Sequence, residues 1–417
     1  MPRPINPYTG RRRKGWATVD EDADVLTLAR ERTRVAFDRF DHIVVSFSGG
    51  KDSTAVFNLA YDEAQARGQR LRVVFFDEEA IPYETEDYVR RVAALPGVDM
   101  EWYCVPVKHR NACSREHPWW YPWAPEDRHL WVRPMPPEAI TTIPGYPNDE
   151  PSKRLIIPDL NGLLHPVSLG NVGLLMGIRA DESVNRRRSI THHLHDPWMV
   201  HYTAGATEKG NVWKVYPIYD WVTSDVWLAP ATLGWDHNRA YDAMELSGIP
   251  HKAQRCAPPY GEEPLRNLDM YAVCFPDIWD AMTARVPGAA AGARYSRTEL
   301  WSFGSQPQKP VGMPWTEFIT HYVDRQPADY RAKVAKRIGG FMRRHYHRTS
   351  EPLAERAPHP ATGVSWGFLL NIAIRGDFKS RRETAAGLAA DPEKARREYD
   401  ADIARIRAEG REEEIRP

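Results

Sequence analysis

The stretch IVVSFSGGKDSTAVFNLA, residues 43–60, runs an apolar segment through two glycines and a lysine into a helix-like segment. A buried strand that turns so tightly into a helix is one unit of an open α/β sheet. Gly49 and Gly50 can take positive φ and let the backbone come close to a ligand. Successive N–H groups in such a turn form a nest, and the helix starting near Asp52 adds its positive end. Ser46, Ser48, Ser53 and Thr54 add hydroxyls, and Lys51 adds a full charge. Together they predict an anion site, best suited to a pyrophosphate; a strand-to-helix turn that holds nothing is the plainer alternative. The stretch lacks the G-x-x-x-x-G-K-S/T spacing of a Walker A loop.

The same rhythm continues on both sides. Residues 22–40 have helical spacing, 42–48 and 71–77 read as strands, and 52–67 and 83–95 as helices. Further strands are predicted at 100–107, 172–178 and 212–218, with a helix opening at Thr223. This alternation predicts a doubly wound, mostly parallel sheet, Rossmann-like in kind. Residues 114–168 interrupt it with prolines and tryptophans, including WWYPW at 119–123, and are read as an insertion or lid. The expected organisation is an irregular arm over 1–19, a nucleotide-binding α/β domain over 20–235, a mostly helical region over 236–380, and a charged helical or disordered tail over 381–417.

Lys+Arg and Asp+Glu both number 56, which argues against a surface coated for bulk nucleic-acid binding and leaves a local patch open. No apolar stretch reaches membrane-spanning length, and the basic N-terminus has no apolar core of a secretory signal, so a cytoplasmic protein is expected. The four cysteines, Cys104, Cys113, Cys256 and Cys274, make neither a disulfide framework nor a usual metal-ligand spacing.

Other polar residues sit where strands end, the place where open α/β sheets bind ligands. Asp77, Glu78 and Glu79 follow one strand, and Arg179, Asp181 and Glu182 follow another. Each carboxylate after the second strand has a bland reading as an acidic helix start. Asp52 either orients Lys51, contacts a magnesium ion, or merely favours the helix N-terminus. Arg179 is placed to meet an α phosphate, with Glu182 orienting it. Trp119, Trp120, Trp123 and Trp131, with Arg128 and Arg133, either stack bases or build a lid core, the commoner outcome. The basic segment 331–348 is read as a helix docked by Val334, Ile338, Phe341 and Met342 with a solvated basic side, contact with nucleic acid or a partner being the alternative.

SGGKDS after the first strand is similar to the PP-loop of the adenosine nucleotide α-hydrolase superfamily. That superfamily includes phosphoadenylyl-sulfate (PAPS) reductases, the small subunit of ATP sulfurylase and tRNA-modifying adenylating enzymes. GIRADESVNRR (177–187) and PIYDWVTSDVW (217–227) resemble further elements of the reductase and sulfurylase branch. A closer resemblance is to PAPS reductase-like proteins of bacteria and phages typified by immunoglobulin-binding regulator A. It rests on FFDEEA (75–80), CVPVKHRNA (104–112), WVRPMP (131–136), NRAYDAMELSGIP (238–250), PYGEEP (259–264) and SWGFLLNIAIRGDF (365–378).

The resemblance implies ATP cleavage between the α and β phosphates, with magnesium, adenylation of an acceptor and release of pyrophosphate. It implies nucleotide contacts from Ser46, Ser48, Gly49, Gly50, Lys51, Asp52, Ser53, Asp77, Glu79, Gly177, Arg179 and Glu182, and a magnesium ion on Asp52 and Asp77. Lys51, Asp52, Arg179 and Asp181 are the residues expected to carry the chemistry. His251, Lys252, Arg255, Tyr260 and Glu262 are implied on the acceptor side. Sulfur transfer in nucleic-acid modification, and a nucleotide-gated regulatory subunit working with a ParB-like partner, are the alternative readings. A nucleic-acid acceptor and a homo-oligomer are left open.

The chain departs from true PAPS reductases in one respect. Their reaction uses a cysteine thiolate near the C-terminus to attack the sulfate sulfur, and here no cysteine follows Cys274. Thioredoxin-dependent release of sulfite from PAPS is therefore expected to be nil; sulfite formed by the purified protein would overturn this reading.

Overall fold

The computed structural model describes residues 24–114, 116–182, 186, 198–201, 211–251, 253–261, 268–295, 307–326, 328–375 and 392–416. The expected arm over 1–19, together with Lys252 and Glu262, lies outside the described residues. The chain divides into two compact units, residues 1–296 and 297–417.

In the first unit the apolar runs become strands and the intervening runs become helices. In order these are α1 (Val25–Arg39), β1 (His42–Phe47), α2 (Lys51–Ala66), β2 (Leu71–Phe76), α3 (Tyr83–Ala93) and β3 (Val98–Tyr103). A short antiparallel pair, β4 (His109–Arg110) and β5 (Trp119–Trp120), and a one-turn helix, α4 (Asn161–Leu164), follow. Then come β6 (Val172–Met176), β7 (Met199–His201) and β8 (Val212–Val215). The helices α5 (Thr223–Leu233), α6 (Ala240–Leu246), α7 (Leu268–Cys274), α8 (Pro276–Arg285) and α9 (Ala289–Tyr295) complete the unit.

The sheet order is β3-β2-β1-β6-β8-β7, parallel except for the antiparallel edge strand β7. Alternate residues of each strand enter two different cores, as the two-residue period of a strand requires. Val45, Phe47, Val73, Phe75 and Leu175 pack with α1, α2 and α3 through Ala29, Phe57 and Tyr88. Val44, Val74, Val172 and Leu174 pack instead with Val105 and with Ile143, Tyr146, Leu160 and Leu164 of the proline-rich stretch. That stretch therefore contributes a hydrophobic layer to one face of the sheet, and Trp123 is fully enclosed in the other core.

The first unit runs past the expected boundary at 235, because later residues are bonded into the sheet's ends. Arg285 of α8 donates to Glu79, 206 residues away, at 2.7 Å. Asn238 donates to the carbonyl of Gly49 at 2.9 Å, and Lys51 N donates to the hydroxyl of Tyr241 at 3.0 Å.

The second unit contains α10 (Trp315–Asp324), α11 (Ala328–Arg348), α12 (Trp366–Arg375) and α13 (Pro392–Ala408). Its core joins Phe318, Ile338, Phe341, Trp366, Leu369 and Ile406. The tail expected to be solvated or disordered differs over 392–416: Tyr399, Ile403, Ile406 and Ile415 are buried. Among its many charges Tyr399, Ile403 and Ile406 fall on one face of α13, so the charged composition hid an amphipathic helix.

Arg133 is buried between Asp77 and Glu86, pairing with the latter at 2.6 Å. Removing one partner of such a set leaves uncompensated buried charge, which costs roughly 3–5 kcal/mol. Arg133→Ala is expected to destabilise the protein by about that much, read from urea unfolding; a loss under about 1 kcal/mol would show the network to be dispensable.

Candidate functional site

Strands β2 and β3 are laid down on one side of β1, and β6 and β8 on the other. Such a switch point opens a crevice at the carboxyl ends of the two central strands. A cavity of about 520 Å³ lies there. Its walls include Ser46, Ser48, Gly50, Lys51, Asp52 and Ser53 from the first turn, and Gly177, Arg179, Asp181 and Glu182 from the end of β6.

The turn is built for close approach. Gly49 has φ +69°, and a Cβ there would come within 2.9 Å of Thr85 Cγ2. It lies behind the cavity wall, its carbonyl held by Asn238, so it shapes the turn. The Ser53 hydroxyl is 3.0 Å from Ser48 Oγ and donates to the Gly50 carbonyl at 2.9 Å. Gly50 caps α2 with no side-chain hydrogen bond, and of the amides at this helix end that of Lys51 is taken by the Tyr241 hydroxyl. A Cβ on Gly177 would meet the Asp52 carbonyl carbon at 2.6 Å, so the residue after β6 rests directly on the Asp52–Ser53 peptide in the first turn of α2.

Positive charge converges on this turn. Lys51 Nζ donates to the Gln254 carbonyl at 3.0 Å, and its ammonium lies 5.5 Å from the Tyr241 ring centroid. Burial pulls the Lys51 pKa below the ordinary lysine value, with Asp52 and Cys256 opposing. Arg179, buried, donates through Nε to Asp52, and Asp181 stands 4.0 Å from its Nη1. That Nη1 is buried and has no hydrogen-bond partner among the described residues. Glu182 is contacted by Arg186 and, at 3.4 Å, by Arg255; burial nevertheless raises its pKa.

Two expected residues are elsewhere. Asp77 and Glu79 do not line the cavity: both side chains are 0% exposed and turned into the protein. Asp77 is held by Arg133 and by Trp102 Nε1, and Glu79 by Arg285 and by the amides of Trp123 and Val132. With their oxygens taken, they are corrected from ligand-holding to structural residues. Glu79 and Trp123 are also the described non-glycine residues with positive φ, 63° and 55°.

Glu78, between them, faces the cavity instead. Burial pushes its pKa up to about 7, with Asp77 adding to the shift. His109 Nε2 lies 3.3 Å from its carboxylate. The site also gains Tyr241 and Cys256, whose Sγ is 3.1 Å from the Tyr241 hydroxyl. Neither was singled out from sequence; their only signal was the NRAYDAMELSGIP resemblance and an ordinary-looking cysteine. Of the acceptor-side residues, Arg255 lines the cavity, whereas Tyr260 is buried with its hydroxyl on the Met282 carbonyl and His251 stacks on Trp227. Arg133, considered for base stacking, is enclosed over Trp123.

Magnesium prefers oxygen donors and usually takes one or two carboxylates together with phosphate and water. Asp52 and Asp181, at the cavity wall, fit that part; Asp77 does not. Among the described residues no cluster of three or more His, Cys, Asp or Glu side chains is arranged to hold a metal by itself. Among the same residues no helix is long and apolar enough to cross a membrane.

Residues 42–244 match the phosphoadenosine phosphosulfate reductase domain, and residues 248–356 match a domain of unknown function, DUF3440. The uncharacterized protein YbdN of Escherichia coli (strain K12) is 29% identical over 378 residues, covering 86% of this chain and 89% of that protein. Among solved structures, PAPS reductase from Candida auris in a phosphate complex is 15% identical, with a TM-score of 0.29, over 54% of this chain and 94% of that one. FMN adenylyltransferase of Candida glabrata with FMN and an ATP analog is 11% identical, with a TM-score of 0.29, over 50% of this chain and 57% of that one. The chain thus spans less than two thirds of the adenylyltransferase. The reductase-domain match over 42–244 fits the PP-loop superfamily.

Proposed function

We propose that the chain binds ATP at the Ser48–Ser53 turn, breaks it between the α and β phosphates, and passes the adenylyl group to an acceptor. One observation carries this reading: the start of α2, where Gly50 supplies no side-chain cap, Lys51, and Arg179 with an Nη1 that makes no hydrogen bond among the described residues, all line a single cavity. A polyanion would satisfy all three.

The β and γ phosphates rest on the glycine turn and Lys51. The acceptor attacks the α phosphorus, the bond to the bridging oxygen breaks, and the electron pair leaves on pyrophosphate, whose charge meets donors already in place. Arg179 meets the charge growing on the α phosphate, with Asp52 and Asp181 holding the guanidinium in position. Water as acceptor gives AMP. A bound magnesium ion would neutralise phosphate charge, with Asp52 and Asp181 as its protein ligands.

Sulfur transfer through Cys256 is disfavoured, because burial raises its thiol pKa and holds it protonated. A regulatory subunit acting through a ParB-like partner would bind ATP without turnover. Incubation with ATP and magnesium is expected to give AMP and pyrophosphate, resolved by chromatography; ADP as the main product would place cleavage at the wrong bond. Lys51→Ala should weaken ATP binding at least tenfold in calorimetry, since a charged hydrogen bond is worth about 1.5–3 kcal/mol. Arg179→Ala should lower turnover by about a hundredfold or more while changing affinity less.

Glu78 gives a separate handle on the cavity. Its folded pKa lies above that of an unfolded glutamate, so its contribution to stability is full at acid pH and lost as the pH rises through about 7. Glu78→Gln removes that loss. At pH 8 the variant should be more stable than the parent by about 1–2 kcal/mol, and the parent's drop in urea midpoint between pH 5 and 8 should shrink. An undiminished drop would show that Glu78 does not titrate there.

A further inference from the structure

Several cations of the second unit are paired with acids: Lys309 with Glu414, Arg396 with Glu351, Arg405 with Glu355 and Asp402, and Arg411 with Glu355 and Glu414. Helix α11 is the segment where cations gather with little acid in sequence. Its sequence ADYRAKVAKRIGGFMRRHYHR carries Arg331, Lys333, Lys336, Arg337, Arg343, Arg344 and Arg348 against the single acid Asp329. Lys336, Arg343 and Arg348 are exposed and make no ion pair with any described residue.

At 100° per residue the charges fall into two rows. Lys336, Arg343 and His347 form one, and Lys333, Arg337, Arg344 and Arg348 the other. Gly340 lies on the line between them, and a Cβ there would meet nothing within 4 Å. Packing therefore does not require that glycine, and a glycine inside a helix is destabilising relative to alanine. What it supplies is uncovered backbone between two cationic rows. The opposite face, Val334, Ile338 and Phe341, is buried in the unit's core. The charged face carries no large apolar side chain to enter a lipid surface.

We infer that the solvent face of α11 binds the phosphate backbone of double-helical RNA. Two cationic rows on one helix call for two rows of phosphates close together. The narrow major groove of A-form RNA brings its strands' phosphates together, whereas the major groove of B-DNA is about 12 Å wide and holds them apart. Contacts to phosphate alone make the binding salt-dependent and indifferent to sequence. This surface does not depend on the reaction proposed for the first unit.

The test uses the full chain and fluorescence anisotropy with a labelled RNA duplex of about 16 base pairs, the span of a duplex-binding domain. A DNA duplex of the same sequence, polyglutamate and phosphatidylserine vesicles serve as competitors. The RNA duplex is expected to bind tighter than the DNA. The triple variant Lys336→Ala, Arg343→Ala, Arg348→Ala should lose at least about tenfold in affinity and make the plot of log K against log salt shallower by about 2–3. Gly340→Leu keeps every charge and a good helix former, so it should lower RNA affinity without lowering the thermal midpoint. Unchanged affinity in the triple variant, equal or tighter binding of DNA, or displacement of RNA only by polyglutamate or vesicles at stoichiometric amounts would each overturn the inference.

Discussion

Arg133 and Arg285 reach the short turn after β2 from two distant parts of the chain, and the first unit is organised around that meeting. Asp77 and Glu79 follow β2 with their carboxylates buried, and each requires a cation. The proline-rich stretch delivers one guanidinium and α8 the other. Hydrophobic burial alone would let either segment slide, since it is nearly directionless. Buried, bonded charge does not slide: a displaced arginine leaves two unpaired ions. The same junction holds Glu79 and Trp123 in left-handed conformations that no free side chain of their kind prefers. This is why residues 236–295 belong to the sheet's unit.

With that turn locked, the other consequence is directional. The turn holds Asp77 and Glu79 into the protein and leaves Glu78 facing the cavity. On the far side of the switch point Gly177 sits against the Asp52–Ser53 peptide in the first turn of α2, so the end of β6 and the start of α2 cannot separate without losing the cavity's wall. Arg179, two residues on, is thereby aimed at Asp52 in that turn. The positive field is assembled from backbone, Lys51 and Arg179 in a chain whose formal net charge is zero, so it is a property of placement.

Much of this was legible. Parallel strands buried on both faces read as apolar runs, and each predicted strand falls within a few residues of the observed one. The glycine turn advertised an anion because its residue types have few other uses together. What could not be read was which carboxylate of DEE faces the ligand. These residues lie in a turn beyond the strand, and which of them faces the cavity depends on Arg133 and Arg285, the latter 206 residues from Glu79. Tyr241 and Cys256 were hidden for the same reason, since nothing local marks a tyrosine whose hydroxyl accepts from a distant lysine amide. The tail misled in the opposite direction, its charges masking the four apolar residues that bury it.

Composition was silent on charge because it reports a sum. The first unit keeps the cations that line its cavity largely withdrawn from water, where desolvation already lowers the Lys51 pKa and where added salt screens little. The second keeps the cations of α11 in water, where screening acts within about 8–10 Å. The two sets therefore answer differently to the solvent. An anion entering the cavity replaces a desolvation penalty with a partner, a gain that persists as ionic strength rises. A polyanion on α11 gains chiefly by releasing its own counterions, a gain that shrinks steadily with salt. Equal numbers of acids and bases in the chain conceal two surfaces governed by different electrostatics, and ionic strength is the variable that separates them.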